Sequence, residues 1–136
     1  MKQVITIELI GLINTVEKIT KAKVKDAFYD AHKTLIFVVA KGDIRKAVGK
    51  QGSNVKRLGQ LMKKRLKFIE FDEDPAVFIK NCIYPLEVSV NKEEGKVVLE
   101  AKDSSTKGKL LGRDKQNLDS LKAIISKYFD VEIIVK

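Results

Sequence analysis

The chain has 136 residues, of which 44% are hydrophobic, so it can build a packed core and is not an intrinsically disordered segment. Its 27 basic and 18 acidic residues give a formal net charge of +9, which favours a polyanionic partner such as a nucleic acid or an anionic membrane surface. Cys82 and His32 are the only residues of their types, which excludes a disulfide framework and a cysteine-built zinc site.

The N-terminal segment carries no recognisable targeting signal. Glu8, Asn14 and Glu17 interrupt its apolar residues, and it lacks a small-residue cleavage site, so we expect mature protein rather than a signal peptide. No apolar run approaches the ~20 residues that span a bilayer. Together with the lone cysteine, these features predict a cytoplasmic protein without a membrane partner.

The first half of the chain predicts the order helix, strand, strand, helix, helix, strand. Asp43 is expected to cap the short helix, and a glycine-containing loop ends it. The predicted elements are a helix over 8–19, strands over 22–30 and 35–40, a helix over 44–48, a helix from Ser53 and a strand over 67–71. The expected apolar stripe of the last helix is Val55, Leu58, Leu61, Met62 and Leu66.

The second half of the chain predicts the same order. Asp74 and Pro75 are typical of a helix start, and Ser104, Ser105 or Thr106 is expected to cap the short helix. The predicted elements are a helix over 75–83, strands over 86–90 and 96–101 around a turn at 91–95, a short helix to Leu111, a loop over 112–115, a helix with apolar residues from Leu118 to Phe129, and a strand over 131–135.

These two halves are related by an internal repeat. A shift of 63 residues superposes Gly49 on Gly112, Lys50 on Arg113 and Asn54 on Asn117, and it also superposes the apolar residues Val55, Leu58 and Leu61 on Leu118, Leu121 and Ile124. We therefore predict two copies of one small unit, with domains over residues 1–73 and 74–136.

The loop Gly49–Gly52 has two possible interpretations. In one, its glycines let the backbone approach a phosphate, Lys50 supplies a positive charge, and the amides at the start of the next helix favour an anion. In the other, Gly49 merely ends one helix and Gly52 eases a turn. Basic residues surround the loop and the unit that contains it is repeated, so we favour a nucleic-acid backbone as its ligand.

The loop does not fit the nucleotide-binding motifs. A Walker A loop has four residues between its first glycine and Gly-Lys-Ser/Thr, whereas six residues separate Gly42 from Gly49 here. Gln51 also occupies the position of the required hydroxyl. The sequence also lacks the third glycine that a dinucleotide-binding fingerprint requires at its fixed spacing.

A helix–Gly-x-x-Gly–helix within this order of elements resembles the KH domain of type II. The tandem pair, with "AVGKQGSNVKRLGQLM", "EFDEDPAVFIKN" and "LLGRDKQNLDSLKAIISKYFDVEI", resembles archaeal NusA-like transcription factors over about residues 5–135. The resemblance implies an α+β fold of two tandem type II KH domains, each with a three-stranded mixed sheet packed against helices.

The resemblance further implies a non-catalytic protein that binds single-stranded RNA in transcription elongation or termination. Each KH module grips about four nucleotides, with the Gly-x-x-Gly loop on the backbone. The residues implied in binding are Gly49, Lys50, Gln51, Gly52, Ile44, Lys46, Val48, Asn54, Val55 and Arg57 in the first copy, with Ala47 also expected beside the bases, and Gly112, Arg113 and Lys115 in the second.

The second loop departs from the KH pattern. Lys115 stands in place of the second glycine, and Asp114 would repel a phosphate, so this copy is expected either to bind RNA or to be mainly structural. Residues 1–74 contain 16 basic and 9 acidic residues, whereas residues 75–136 contain 11 and 9. The electrostatic attraction to RNA is therefore expected mostly on the first copy.

Three alternatives remain open for function and partners. RNA polymerase or a transcription complex is one expected partner; an RNA-processing or ribosome-associated role, and a protein-interaction module without RNA, are the alternatives. We expect a monomer with no cofactor and no enzymatic activity. His32 is interpreted as an exposed turn residue, Cys82 as buried, and residues 72–74 as a helix cap rather than a metal site.

Overall fold

The computed structural model describes residues 6–136. By its internal contacts the chain divides into two compact units, the first ending at Phe71 and the second spanning Asp72–Lys136. Each unit contains a three-stranded sheet with helices, which confirms the predicted α+β class. Within residues 6–136, every helix is too short or too polar to span a bilayer.

The first unit has the predicted order of elements. They are α1 Ile7–Thr20, β1 Val24–Tyr29, β2 Leu35–Val39, α2 Ile44–Val48, α3 Ser53–Met62 and β3 Leu66–Glu70. Strand β2 lies in the centre of the sheet, antiparallel to β1 and parallel to β3. The parallel pair forms because α2 and α3 cross over between β2 and β3.

The second unit repeats this topology. Its elements are α4 Pro75–Ile83, β4 Val88–Glu93, β5 Lys96–Ala101, α5 Ser104–Leu111, α6 Gln116–Ser126 and β6 Glu132–Val135. Strand β5 is central, antiparallel to β4 and parallel to β6.

The core of the first unit forms between its helices and one face of its sheet. Phe37 of β2 and Phe68 of β3 pack with ring centroids 5.6 Å apart. Val16 of α1 and Leu58 of α3 are fully buried in the same cluster. Leu61, predicted in the apolar stripe, is instead 60% exposed, because it lies at the edge of α3 away from the sheet.

In the second unit, an aromatic cluster joins α4 to the segment after α6. The Phe78 ring lies 5.7 Å from Tyr128 in an edge-on arrangement and 6.0 Å from Phe129. Helix α6 ends at Ser126, earlier than its apolar pattern predicts. The amides of both aromatics still donate to the carbonyl of Ile125, at 3.0 and 2.9 Å, so a turn keeps them on the core side.

The hairpin of the second unit differs from its prediction. A five-residue turn was expected at 91–95, but β4 continues to Glu93, which pairs with Lys96 across a two-residue connection. Gly95 permits this tight turn with φ +71°. Polar residues enter the strand because backbone pairing with the buried strand β5 outweighs their weak strand propensity.

Two aspartates cap helices in the second unit. The Asp74 carboxylate accepts from the Ala76 amide at 2.9 Å, as predicted. For α5 the predicted hydroxyl caps are wrong, because Asp103 accepts from the Thr106 amide at 2.7 Å. This bond, with the Thr106 hydroxyl, lowers the pKa of Asp103, so its contribution to stability exists above the ordinary value of 3.8 and disappears as pH falls below it.

Asp43 occupies the N-cap position of α2 but does not cap it with its side chain. Its carboxylate instead accepts from the amide of Lys23 at 2.8 Å. The prediction of a side-chain cap is therefore wrong, because the aspartate is used to connect α2 to the segment preceding β1.

Candidate nucleic-acid interface

The first loop, residues 49–52, joins α2 to α3 through a tight turn. The Gly49 amide donates to the carbonyl of Arg45 at 2.9 Å and ends α2. The Gly52 amide donates to the carbonyl of Gly49 at 3.1 Å, and α3 begins at Ser53. Hydrogen bonds at both ends therefore define the shape of this connection.

Gly49 cannot be replaced by a residue with a side chain without strain. Its φ of +78° and ψ of 168° belong to a region that is essentially open to glycine alone. A Cβ at this position would also lie 2.7 Å from the Ser53 hydroxyl oxygen and 2.9 Å from the backbone nitrogen of Asn54. Backbone conformation and close packing both require glycine.

Gln51 and Gly52 are two successive residues in the left-handed region, with φ of +53° and +74°. Nothing lies within 4 Å of a Cβ built on Gly52, so its requirement for glycine comes from φ alone. The turn leaves the side chains of Lys50 and Gln51 exposed at its tip. A cation and an amide are thus presented to solvent on a well-defined backbone.

Asn54 holds the first loop in place. Its Nδ2 donates to the carbonyl of Lys46 at 2.9 Å, which connects α3 to α2 across the loop. The same side chain packs so closely on Gly49 that an added Cβ would lie 2.9 Å from its Cγ. We therefore interpret Asn54 as a positioning residue, although the sequence implied it in direct RNA contact.

Replacing Asn54 with alanine is expected to reduce the free energy of unfolding by about 1 kcal/mol, because one partly exposed hydrogen bond is lost. The affinity for RNA should also fall, because the loop loses the hydrogen bond that connects α3 to α2. Urea unfolding and an RNA titration of the same variant test both effects. A variant that loses RNA affinity at unchanged stability would instead favour direct contact between Asn54 and RNA.

An open groove of about 410 Å³ runs beside the first loop. Half-buried Ile44 and Val48 form its apolar lining, and Arg45, Gly49 and Lys50 complete it. Because α2 has helical spacing, residues 44, 45 and 48 lie along one side of it. The arrangement combines an apolar surface suited to bases with cations suited to phosphates.

The structure distributes the other implied residues differently. Ala47 is fully buried in the core, so it does not line the groove as expected. Val55 is half-buried against that core, while Lys46 and Arg57 are exposed on α2 and α3. Arg45 was absent from the implied set; its position one residue after Ile44, on the helix that leads into the loop, is the signal that points to it.

Charge around the first loop is predominantly positive. The exposed basic residues of α2, the loop and α3 are Arg45, Lys46, Lys50, Lys56 and Arg57. The Lys46 amine lies 3.7 Å from the carboxylate of Asp43, and both side chains remain partly solvated, so this pair removes little of the excess charge.

The second loop, residues 112–115, has the same backbone conformation as the first. Gly112 has φ +74° and ψ 174°, matching Gly49. Asp114 and Lys115 have φ of +53° and +61°, in the left-handed region. The missing second glycine therefore leaves the backbone unchanged, at a cost of about 1–2 kcal/mol for a side chain in this region.

The asparagine hydrogen bond that connects the two helices is also repeated in the second unit. Asn117 donates its Nδ2 to the carbonyl of Lys109 at 3.0 Å. A Cβ on Gly112 would lie only 2.5 Å from the Cγ of Asn117. The exposed Arg113, Asp114 and Lys115 occupy the second tip, so the two loops share a backbone shape and a net charge of +1 but differ in that the second presents a carboxylate.

The described residues contain no cluster of three or more His, Cys, Asp or Glu side chains that could hold a metal ion. Cys82 is buried and His32 is exposed within a turn, in agreement with their interpretation from sequence.

The profile of the KH domain matches residues 13–97, from within α1 to the start of β5. The chain belongs to the KH-domain family. This match includes the whole first loop with its groove, and it ends before the second loop.

Among related proteins, this KH-domain chain resembles several that carry the name "Probable transcription termination protein NusA". The protein from Methanococcus vannielii is 43% identical over 76 residues, which are 56% of this chain and 43% of that protein. The protein from Methanocaldococcus jannaschii is 32% identical over 84 residues, covering 62% and 45%. The protein from Halococcus morrhuae is 24% identical over 121 residues, covering 87% and 86%. The predicted resemblance to archaeal NusA-like proteins is confirmed, and the chain spans less than half the length of the first two relatives.

A solved crystal structure, that of APE1850, has the same fold. It superposes with a TM-score of 0.72 at 24% identity, covering 96% of this chain and 99% of the other. At this level of identity the likeness concerns the fold alone.

Proposed function

We propose that this KH-domain protein binds single-stranded RNA and grips the RNA backbone with its first loop. The observation that carries the proposal is the exposed cationic tip, Lys50 and Gln51, beside a groove whose apolar lining is Ile44 and Val48. KH modules hold about four nucleotides by clamping the backbone with this loop and sheltering the bases alongside it.

The implied contacts divide by chemistry. The loop backbone and Lys50 would lie against phosphates, with Arg45 as a second cation at the edge of the groove. The apolar side chains of the groove would contact base faces, which does not distinguish one base from another. Lys46 and Arg57 would add general electrostatic attraction from exposed positions.

The second loop is proposed as a weaker RNA contact. Its backbone matches that of the first loop, and Arg113 and Lys115 supply two cations. Asp114 opposes a phosphate at the position equivalent to Gln51. We therefore assign the main grip to the first unit.

Transcription is the proposed setting of this binding. The relatives' shared name, transcription termination protein NusA, supports a role in elongation or termination with RNA polymerase or a transcription complex as partner. The role proposed is non-catalytic and cytoplasmic, with the protein acting as a monomer. Recovery of RNA polymerase, rather than ribosomal subunits, on immobilised protein tests this setting.

An unpaired eight-nucleotide RNA is expected to bind more tightly than a duplex of equal length, because the groove accepts splayed bases. Its log affinity should fall linearly with log salt, by about 0.7 for each phosphate contacted. Fluorescence anisotropy with both RNAs over a range of salt concentrations measures these quantities. A flat titration with both RNAs at low salt would contradict the proposal and favour a protein-interaction module.

A further inference from the structure

A second cavity lies in the second unit, where α4 ends and β4 begins, and its volume is about 490 Å³. This size falls within the range of about 300–1,000 Å³ that is usual for small-ligand sites. The Tyr84 amide donates to the carbonyl of Lys80 at 3.0 Å, which ends α4 at the cavity. Tyr84 is part of the lining and is 74% exposed.

Most of the surface of Tyr84 therefore stays in water in the folded chain, where a second flat group could cover it. Three half-buried apolar side chains lie in the same lining: Ile83, Leu86 and Val88. Tyr84 and these apolar side chains together form a surface that can bind a flat, partly apolar group.

The charged groups of the cavity favour an anion beside that flat group. Lys80 and Lys102 both line it, and Lys80 is exposed. Glu87 is the carboxylate of the lining, and its Oε2 accepts from the Lys102 amine at 2.9 Å. That hydrogen bond lowers the pKa of Glu87 and raises the pKa of Lys102, so both stay charged at neutral pH. The lining therefore carries two lysine cations and one carboxylate, and the carboxylate is paired with Lys102.

We propose that this cavity is a separate nucleotide-binding site, in which an unpaired base stacks on Tyr84 and its phosphate lies between Lys80 and Lys102. The inference rests on the proposed RNA binding and assigns to the protein a contact outside both glycine loops. A base has an aromatic face for the phenol ring and a phosphate for the amines, whereas an acidic peptide would leave the ring unused.

The Y84W variant makes the site directly observable, because the natural chain has no tryptophan. Titration with an unpaired four-nucleotide RNA is expected to quench its fluorescence in a saturable way, since a stacked base quenches an indole ring. The matched control is V77W, because Val77 lies on α4, is 39% exposed and is outside the cavity lining, and this variant should stay unquenched.

In the Y84W background, Lys80→Gln combined with Lys102→Gln should raise the RNA concentration for half-quenching by about tenfold or more. The pair Lys122→Gln and Lys136→Gln removes the same charge from exposed positions of the same unit and should change it by less than about twofold. Circular dichroism of each variant establishes that it is folded.

The outcomes separate this inference from the function on which it rests. If wild-type protein binds labelled eight-nucleotide RNA but the Y84W variant stays unquenched, the nucleotide site is wrong and the loop clamp stands. Quenching by a poly-glutamate peptide in place of RNA would also overturn it and assign the cavity to an acidic protein. If no RNA binds at any concentration, both proposals fail together.

Discussion

Replacing Lys50 and Gln51 together with aspartate is expected to weaken binding of unpaired RNA by about 100-fold or more. The lysine contact with a phosphate is charge-assisted and contributes about 1.5–3 kcal/mol, and two carboxylates at the tip then repel the strand. The fold should be unaffected, because both side chains are exposed. Anisotropy titration at constant salt measures the affinity, and thermal unfolding measures the stability.

The matched control makes an equal change in net charge on α1, outside the loop and its groove. Asn14 and Lys18 are exposed one turn apart on α1, and aspartate at both lowers the net charge equally. This control should weaken binding only a few-fold, through general electrostatics. Equal losses in the two double variants would mean that net charge, and not the loop, accounts for the binding.

Gly49→Ala is expected to reduce the free energy of unfolding by about 2–6 kcal/mol. The backbone conformation at this residue contributes about 1–3 kcal/mol of strain for a side chain, and overpacking against neighbouring atoms contributes about 1–3 kcal/mol more. The conflict cannot be relieved by rotating a side chain alone, because one clashing atom is the backbone nitrogen of Asn54. Equilibrium urea unfolding followed by circular dichroism measures the change.

Gly52→Ala is the matched control for this effect. Its φ is also positive, but a Cβ there meets nothing within 4 Å, so the expected cost is about 1–2 kcal/mol. A Gly49 variant no less stable than the Gly52 variant would contradict the close packing described for the first loop.

The order of elements could be predicted because the repeat supplies it twice. Each half of the chain places periodic apolar residues, strand-like runs and a glycine loop in the same succession, so errors in one half are corrected by the other. The apolar stripe predicted for α3 contains too many residues. Leu58 and Leu61 both fit the helical periodicity, but only Leu58 is buried.

Local details that depend on competition between neighbours were not predicted. Asp103, Ser104 and Thr106 are all good capping residues, and the structure selects the aspartate. Asp43 has a capping position, yet a backbone amide 20 residues away takes its carboxylate. Such choices depend on tertiary contacts that no local pattern contains.

The candidate interface shows the same division. The loop tip could be inferred from its glycines and lysine. The asparagine hydrogen bond between the two helices could not, because an asparagine five residues after a glycine is not a known signal for such a bond. The second loop lacks the second glycine of the pattern, yet its backbone conformation matches that of the first loop. Asp114 and Lys115 adopt left-handed conformations because the helices on either side determine the connection.

Contact between the first loop and the RNA backbone is the central feature of the proposed function, and amide chemical shifts report that contact directly. In a titration of isotope-labelled protein with an unpaired four-nucleotide RNA, we expect the largest shifts at Lys50, Gln51 and Gly52, accompanied by Ile44 and Val48 of the groove. Saturable binding that leaves these five amides unshifted would contradict the account.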